Sequence, residues 1–138
     1  MLARPPVMKT NRRPMLYAIL CYNDEAAVEA WPRETEEAVL GHRMKVQEKL
    51  AAKGKLGAVA RLMPTTAATT LRFGAGEPVV LDGPFAETKE QLLGFYVVEA
   101  DSLDEVIAFA TELHGSELRG SFEIRPLRVF RPGTPLSL

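Results

Sequence analysis

Leu93-Gly94-Phe95-Tyr96-Val97-Val98-Glu99-Ala100, followed at once by Asp101-Ser102-Leu103-Asp104-Glu105, decides the fold class of this chain. The first eight residues are rich in aromatic and β-branched side chains and read as a strand. Ser102 and Glu105 then stand three apart, the spacing at which a hydroxyl and a carboxylate cap the first turn of a helix. Leu103, Val106, Ile107, Ala110 and Leu113 recur at helical spacing, which carries an amphipathic helix to about residue 114. A strand running straight into such a helix is half of a split β-α-β unit.

Upstream, Leu16-Tyr17-Ala18-Ile19-Leu20-Cys21-Tyr22 is a nearly continuous apolar run and predicts a central strand. A long helix follows from Pro32 to Lys53, with Gly54 as its stop. At 100° per residue Thr35, Ala38, Val39, His42, Val46 and Leu50 share a sector expected to face a sheet, and Leu40, Met44 and Ala51 form a second stripe. Leu56 to Leu62 reads as a strand. Thr69–Phe73 and Pro78–Leu81 read as a hairpin around Gly74-Ala75-Gly76-Glu77. Downstream, Phe122 to Phe130 alternates like a strand, and Pro126 restricts it to an edge or a bulge.

The order strand, helix, strand, hairpin, strand, helix, strand predicts an α+β fold. Its form is a ferredoxin-like βαββαβ antiparallel sheet with an inserted β-hairpin and both helices on one face. The other face carries apolar groups and needs a cover, most simply a second copy, so a homodimer is expected.

A length of 138 residues suits one domain, assigned to 15–130, between a flexible N-terminal tail, 1–14, and an irregular C-terminal tail, 131–138. With 46% hydrophobic and 25% charged residues the composition is that of a soluble globular protein. A net charge of −1 gives no general attraction to nucleic acid or anionic membrane. No apolar run reaches the roughly 20 residues of a membrane helix, and residues 1–14 lack the apolar core of a secretory signal. The lone Cys21 excludes an intramolecular disulfide, fits a reducing cytoplasm and is expected to pack as a small hydrophobe. Two histidines and one cysteine make no transition-metal spacing, so no cofactor is expected. Gly74 and Gly76 precede a strand and lack a third glycine, which excludes a dinucleotide loop.

Chemistry concentrates in Asp82-Gly83-Pro84-Phe85-Ala86-Glu87-Thr88-Lys89-Glu90. Asp82 is expected to accept backbone N–H groups of its own turn, or to reach a cleft; Phe85 to plug the core or line that cleft. Glu87, Lys89 and Glu90 read as a solvated helix start or as ligand contacts. His42, on the sheet-facing sector, becomes a general base if a carboxylate orients its ring. Glu123 and Arg125 share one strand face, which suits an ion pair or an anion contact. Tyr17 and Tyr96 complete the expected pocket wall.

The motif from Asp82 to Glu90, with Glu123-Ile124-Arg125-Pro126 and the opening strand, resembles the signature of DGPF proteins within the YCII-related superfamily. The resemblance covers about Leu16 to Phe130 and implies a dimeric α+β barrel. A catalytic His–Asp pair has been suggested for the superfamily, and the place of His42 in its helix resembles that of the family's histidine; Asp82, if it projects into a cleft, is the acid expected to orient it. Some relatives are associated with dehydrochlorination of chlorinated hydroxyquinols. Others are encoded beside or fused to extracytoplasmic-function sigma factors, which implies a non-catalytic regulatory module with a sigma-factor partner. Two departures stand out. Leu93-Gly94 replaces the family's frequent Gly-Gly, and His114 falls where an Asp-Pro pair is common. The two readings, cofactor-independent acid–base chemistry on a small organic molecule and a regulatory interaction module, rest on the same residues.

Overall fold

Two apolar strands lie side by side at the centre of the molecule: β1 (Met15–Asn23) and, antiparallel to it, β5 (Gln91–Ala100). The computed structural model describes residues 14–115 and 119–138, so the expected N-terminal tail, except Pro14, lies outside the described residues. β2 (Leu56–Arg61) flanks β5, and β6 (Ser121–Pro126) flanks β1, giving the antiparallel order β2-β5-β1-β6. Pro126 therefore ends an edge strand, where its missing N–H leaves no central ladder bond unmade. β3 (Thr69–Arg72) and β4 (Val79–Asp82) pair only with each other as a separate two-stranded sheet. The α+β class read from the sequence is the class observed.

Residues opposite one another share a face. Tyr17, Ile19 and Cys21 therefore lie with Val98, Tyr96 and Gly94 of β5 and with Ile124 and Phe122 of β6. Onto this face pack α2 (Arg33–Ala52), through Val46, and α3 (Leu103–His114), through Val106, Ala110 and Leu113. Ile19, Val98, Val106 and Leu113 are fully enclosed, each contributing about 1.5–3 kcal/mol of burial. The opposite face presents Leu16, Ala18, Leu20 and Phe95, all half-buried. Glu123 and Arg125 share that second face and are exposed, with no ion pair between them among the described residues.

The helix ends follow the local rules. Ser102 Oγ accepts from Glu105 N at 3.2 Å, while the Glu105 carboxylate reaches back to Asp101 N at 3.2 Å, one residue earlier than a strict capping box. A short helix, α1 (Glu25–Glu29), and a 3-10 turn at Thr65–Ala67 were not legible from periodicity, since neither buries a residue. They are tied together by Thr65, whose N–H and hydroxyl both donate to the Glu25 carboxylate. Gly94 explains the Leu93-Gly94 pair: a Cβ there would collide with the Ala60 carbonyl oxygen of β2. The close backbone approach belongs to position 94.

Candidate functional site

The long helix α2 positions the site through a sector that differs from the one its apolar residues suggest. Thr35, Ala38 and His42 are exposed, whereas Val39, Arg43, Val46 and Leu50 form the partly or fully buried line. Arg43 thus occupies the inward place one turn from both Val39 and Val46, and its presence there rotates the helix by about one residue from the expected sector. A charge standing in a 39-43-46-50 apolar line was the available signal; reading only the apolar residues hid it.

Under that line lies a partly open pocket of about 310 Å³ between α2 and the helix-facing side of the sheet. Cys21, Tyr96 and Phe122 form its floor, and Trp31, Val39, Leu40 and Met44 its walls. The Arg43 guanidinium stands 5.7 Å from the Phe122 ring centre, and its Nε is buried without a hydrogen-bond partner. Burial pushes the Tyr96 phenol above its ordinary range, and the Arg43 charge and hydrogen bond oppose that only in part. Burial likewise pushes the Cys21 thiol up to about 11, against the pull of Arg43, so Cys21 is a neutral thiol. Arg61, on the rim, is held by Glu36 at 3.2 Å.

A second, broader cleft of about 1160 Å³ adjoins it, sharing Asn23, Trp31, Val39, His114 and Arg119. His42 lines this cleft, with its Nε2 at 2.6 Å from the Glu112 carbonyl oxygen of α3. A carbonyl only accepts, so Nε2 carries the proton and Nδ1 holds the free lone pair of the neutral ring. The same turn of α3 is gripped by Lys49, 2.7 Å from the Glu112 carboxylate, which holds that carboxyl below its ordinary range. His114 stacks edge-on against Phe122 at 5.2 Å, and both its ring nitrogens meet carbonyl oxygens, of Gly115 and Arg119. Asp24 lies on the cleft but caps α1, accepting from Ala26 N and Ala27 N.

The residues singled out from the sequence are dispersed. His42, Lys89 and Glu90 share the broad cleft, and Tyr96 lines the smaller pocket. Tyr17 is buried on the helix-facing side of β1 and lines neither. Asp82 ends β4, exposed, and among the described residues its carboxylate has no hydrogen-bond partner. The structure therefore does not bring it to His42, and the ring is oriented by a backbone carbonyl instead. Nor does Asp82 cap its turn, which is held by Thr70 Oγ1 donating to Gly83 O at 2.8 Å and Arg72 Nη2 donating to Phe85 O at 3.0 Å. Gly83 sits at φ 95°, a conformation costly for any side chain with a Cβ.

Phe85 is 74% exposed, so it plugs no core. Glu87 is exposed and opens no helix: residues 84–90 are bends and irregular backbone. Thr88 Oγ1 donates to Glu90 O, and Gln91 Nε2 to Thr88 O, both at 2.6 Å. Arg125 lies on the face away from both cavities.

Among the described residues no helix is long and apolar enough to cross a membrane. The model of the YCII-related domain matches residues 15–131. An uncharacterised protein of Rhizobium meliloti (strain 1021), R00369, is 57% identical over 120 residues, covering 86% of this chain and 97% of its own length. With the family's domain spanning nearly all of the described sheet and helices, this chain belongs to the YCII-related family.

Proposed function

We propose that the protein is a ferredoxin-like homodimer that binds a small organic molecule in the cleft under α2 and moves a proton on it with His42. The observation that carries this reading is the bond from His42 Nε2 to Glu112 O, because it leaves Nδ1 as a basic nitrogen on a cleft wall. A backbone carbonyl orients the ring as well as a carboxylate does, without adding a charge. Lys89 and Glu90, at the end of the Asp82–Glu90 motif, supply polar contacts on the same cleft. Asp82 and Phe85 serve the hairpin, and through it the dimer.

The reaction is cofactor-independent acid–base chemistry, and the test is hydrogen exchange at acidic carbon. Small carbonyl compounds and phenols incubated with the protein in D₂O should show enzyme-dependent exchange by NMR for at least one compound. His42→Ala should abolish that exchange and Asp82→Asn preserve it. Exchange that survives His42→Ala sinks the assignment of His42 as base.

A regulatory reading, with a sigma factor as partner, draws on the exposed apolar surface of the hairpin: Leu71, Phe73, Val79, Val80 and Leu81. Capture of a sigma factor by the wild-type protein, lost on Val80→Lys, would favour it over the enzyme.

A further inference from the structure

The pocket floored by Cys21, Tyr96 and Phe122 has a chemical character that the His42 cleft does not explain. Among the described residues no carboxylate lies within ion-pairing distance of the Arg43 guanidinium, whose only neighbours of note are the Phe122 ring, the Tyr96 phenol and the neutral Cys21 thiol. Three arginines (Arg43, Arg61 and Arg119) and one glutamate (Glu36) line the pocket, and that glutamate is engaged by Arg61. Arg43 is a half-buried cation facing an aromatic floor, its Nε has no partner, and an anion that pairs with the guanidinium offsets the cost of that placement.

A guanidinium presents planar two-donor edges that a carboxylate fits with two parallel hydrogen bonds. Tyr96, kept in its protonated form by burial, is a third donor beside it. The remaining surface is apolar and aromatic, from Trp31, Val39, Leu40, Met44 and Phe122. A volume of about 310 Å³ sits at the small end of ligand pockets, roughly 300–1000 Å³. We infer that the pocket under α2 is a binding site for a small aromatic carboxylate, with Arg43 gripping the carboxylate, Tyr96 donating to it and the ring held against Trp31 and Phe122.

The inference builds on the reading of the α2 cleft as a ligand site, and is independent of His42 acting as a base. An anchored carboxylate fixes one end of the molecule. The shared wall of Trp31, Val39 and His114 lets its other end extend toward the His42 side.

Trp31, the single tryptophan, reports occupancy by its own fluorescence. Benzoate, its neutral isostere benzamide and inorganic phosphate are titrated into the wild-type protein, Arg43→Lys, Arg43→Met and His42→Gln. Benzoate should saturate the signal and bind about tenfold or more tightly than benzamide, as loss of a charge-assisted fork requires. Arg43→Lys should weaken benzoate about tenfold, because a point charge cannot replace the fork, and Arg43→Met should abolish the preference over benzamide.

Benzoate no tighter than benzamide on the wild type overturns the inference, and that comparison needs no variant to fold. Phosphate binding more tightly than benzoate overturns the aromatic carboxylate, as does full benzoate affinity in Arg43→Met. Unchanged benzoate affinity in His42→Gln is expected whether or not His42 proves catalytic, which separates this test from that of proton transfer.

Discussion

Cys21 carries a nucleophilic atom into the pocket floor and is kept inert by its surroundings. Its thiol is pushed from 9.0 to about 11, chiefly by burial, with Arg43 opposing. Two units mean about 100-fold less thiolate at pH 8 than in an open chain. Iodoacetamide should therefore alkylate Cys21 in the folded protein at least that much more slowly than in urea, as mass spectrometry of timed aliquots would show. Comparable rates in the two states would mean that the pocket floor is open. Because the folded value is raised, the stability gained by burying the neutral thiol is present below the unfolded pKa and falls as pH rises above it. Gly94 is sharper still: Gly94→Ala drives a methyl into the backbone oxygen of Ala60, an atom that cannot step aside. A loss of about 1–3 kcal/mol in urea unfolding is expected. Of the candidate site, the sequence made His42 legible as an imidazole on a helix beside apolar residues. Arg43 stayed hidden because an arginine ordinarily marks the solvent side, and only its one-turn spacing from Val39 and Val46 argued otherwise. Among the described residues no bond joins Asp82 to His42, for a related reason: concentrated charge marks a turn as readily as a site, and nothing in local sequence says where a hairpin projects.

At the scale of elements, α3 is held at its start by hydrogen bonds that can be removed singly. Ser102→Ala deletes the acceptor for Glu105 N and should cost about 1 kcal/mol in thermal or urea unfolding, with Ser102→Gly costing less. A loss indistinguishable from zero for the alanine would show that Glu105 alone holds the first turn. The same turn is tied to the start of β2 by Lys55, the residue before that strand, whose Nζ lies 3.1 Å from the Glu105 carboxylate. Burial raises the Glu105 carboxyl, but the bonds from Lys55 and Asp101 N outweigh it, and the group ends below its ordinary value. A lowered folded pKa contributes stability that is present above the unfolded value of about 4.3 and lost as pH falls through the folded one. Thermal midpoints should decline more steeply below about pH 4 in the wild type than in Glu105→Gln. Parallel declines would mean that this carboxylate carries no share of the acid sensitivity. The strands and both long helices were legible because burial imposes a period on their sequence: Val106, Ala110 and Leu113 recur every turn and all are buried. α1 and the 3-10 turn bury nothing, leave no period, and are set by tertiary bonds to Glu25. The hairpin connection, read as 74–77, runs over 73–78, since glycine marks a turn's existence better than its length.

For the whole molecule the hairpin is the unsolved element of the monomer. Two strands alone are marginal in water, and β3–β4 stand apart from the main sheet with every residue from Leu71 to Asp82 exposed. Phe73, 76% exposed, and Val80, 66%, belong to an apolar surface that a lone chain leaves in water. The sheet's second face adds half-buried Leu16, Leu20 and Phe95. In the proposed homodimer a second copy of the chain would cover both at once, and a symmetric contact would let each hairpin embrace the other protomer. Light scattering behind size exclusion should give twice the chain mass for the wild type. Phe73→Ser with Val80→Lys removes apolar area and places a charge on each hairpin, so it should shift the equilibrium to monomer. The far-ultraviolet spectrum should hold, because the main core of Ile19, Val98, Val106 and Leu113 is untouched. A wild-type protein that elutes as a monomer would sink the dimer. A double variant that remains dimeric would leave the main sheet, without the hairpin, as the interface.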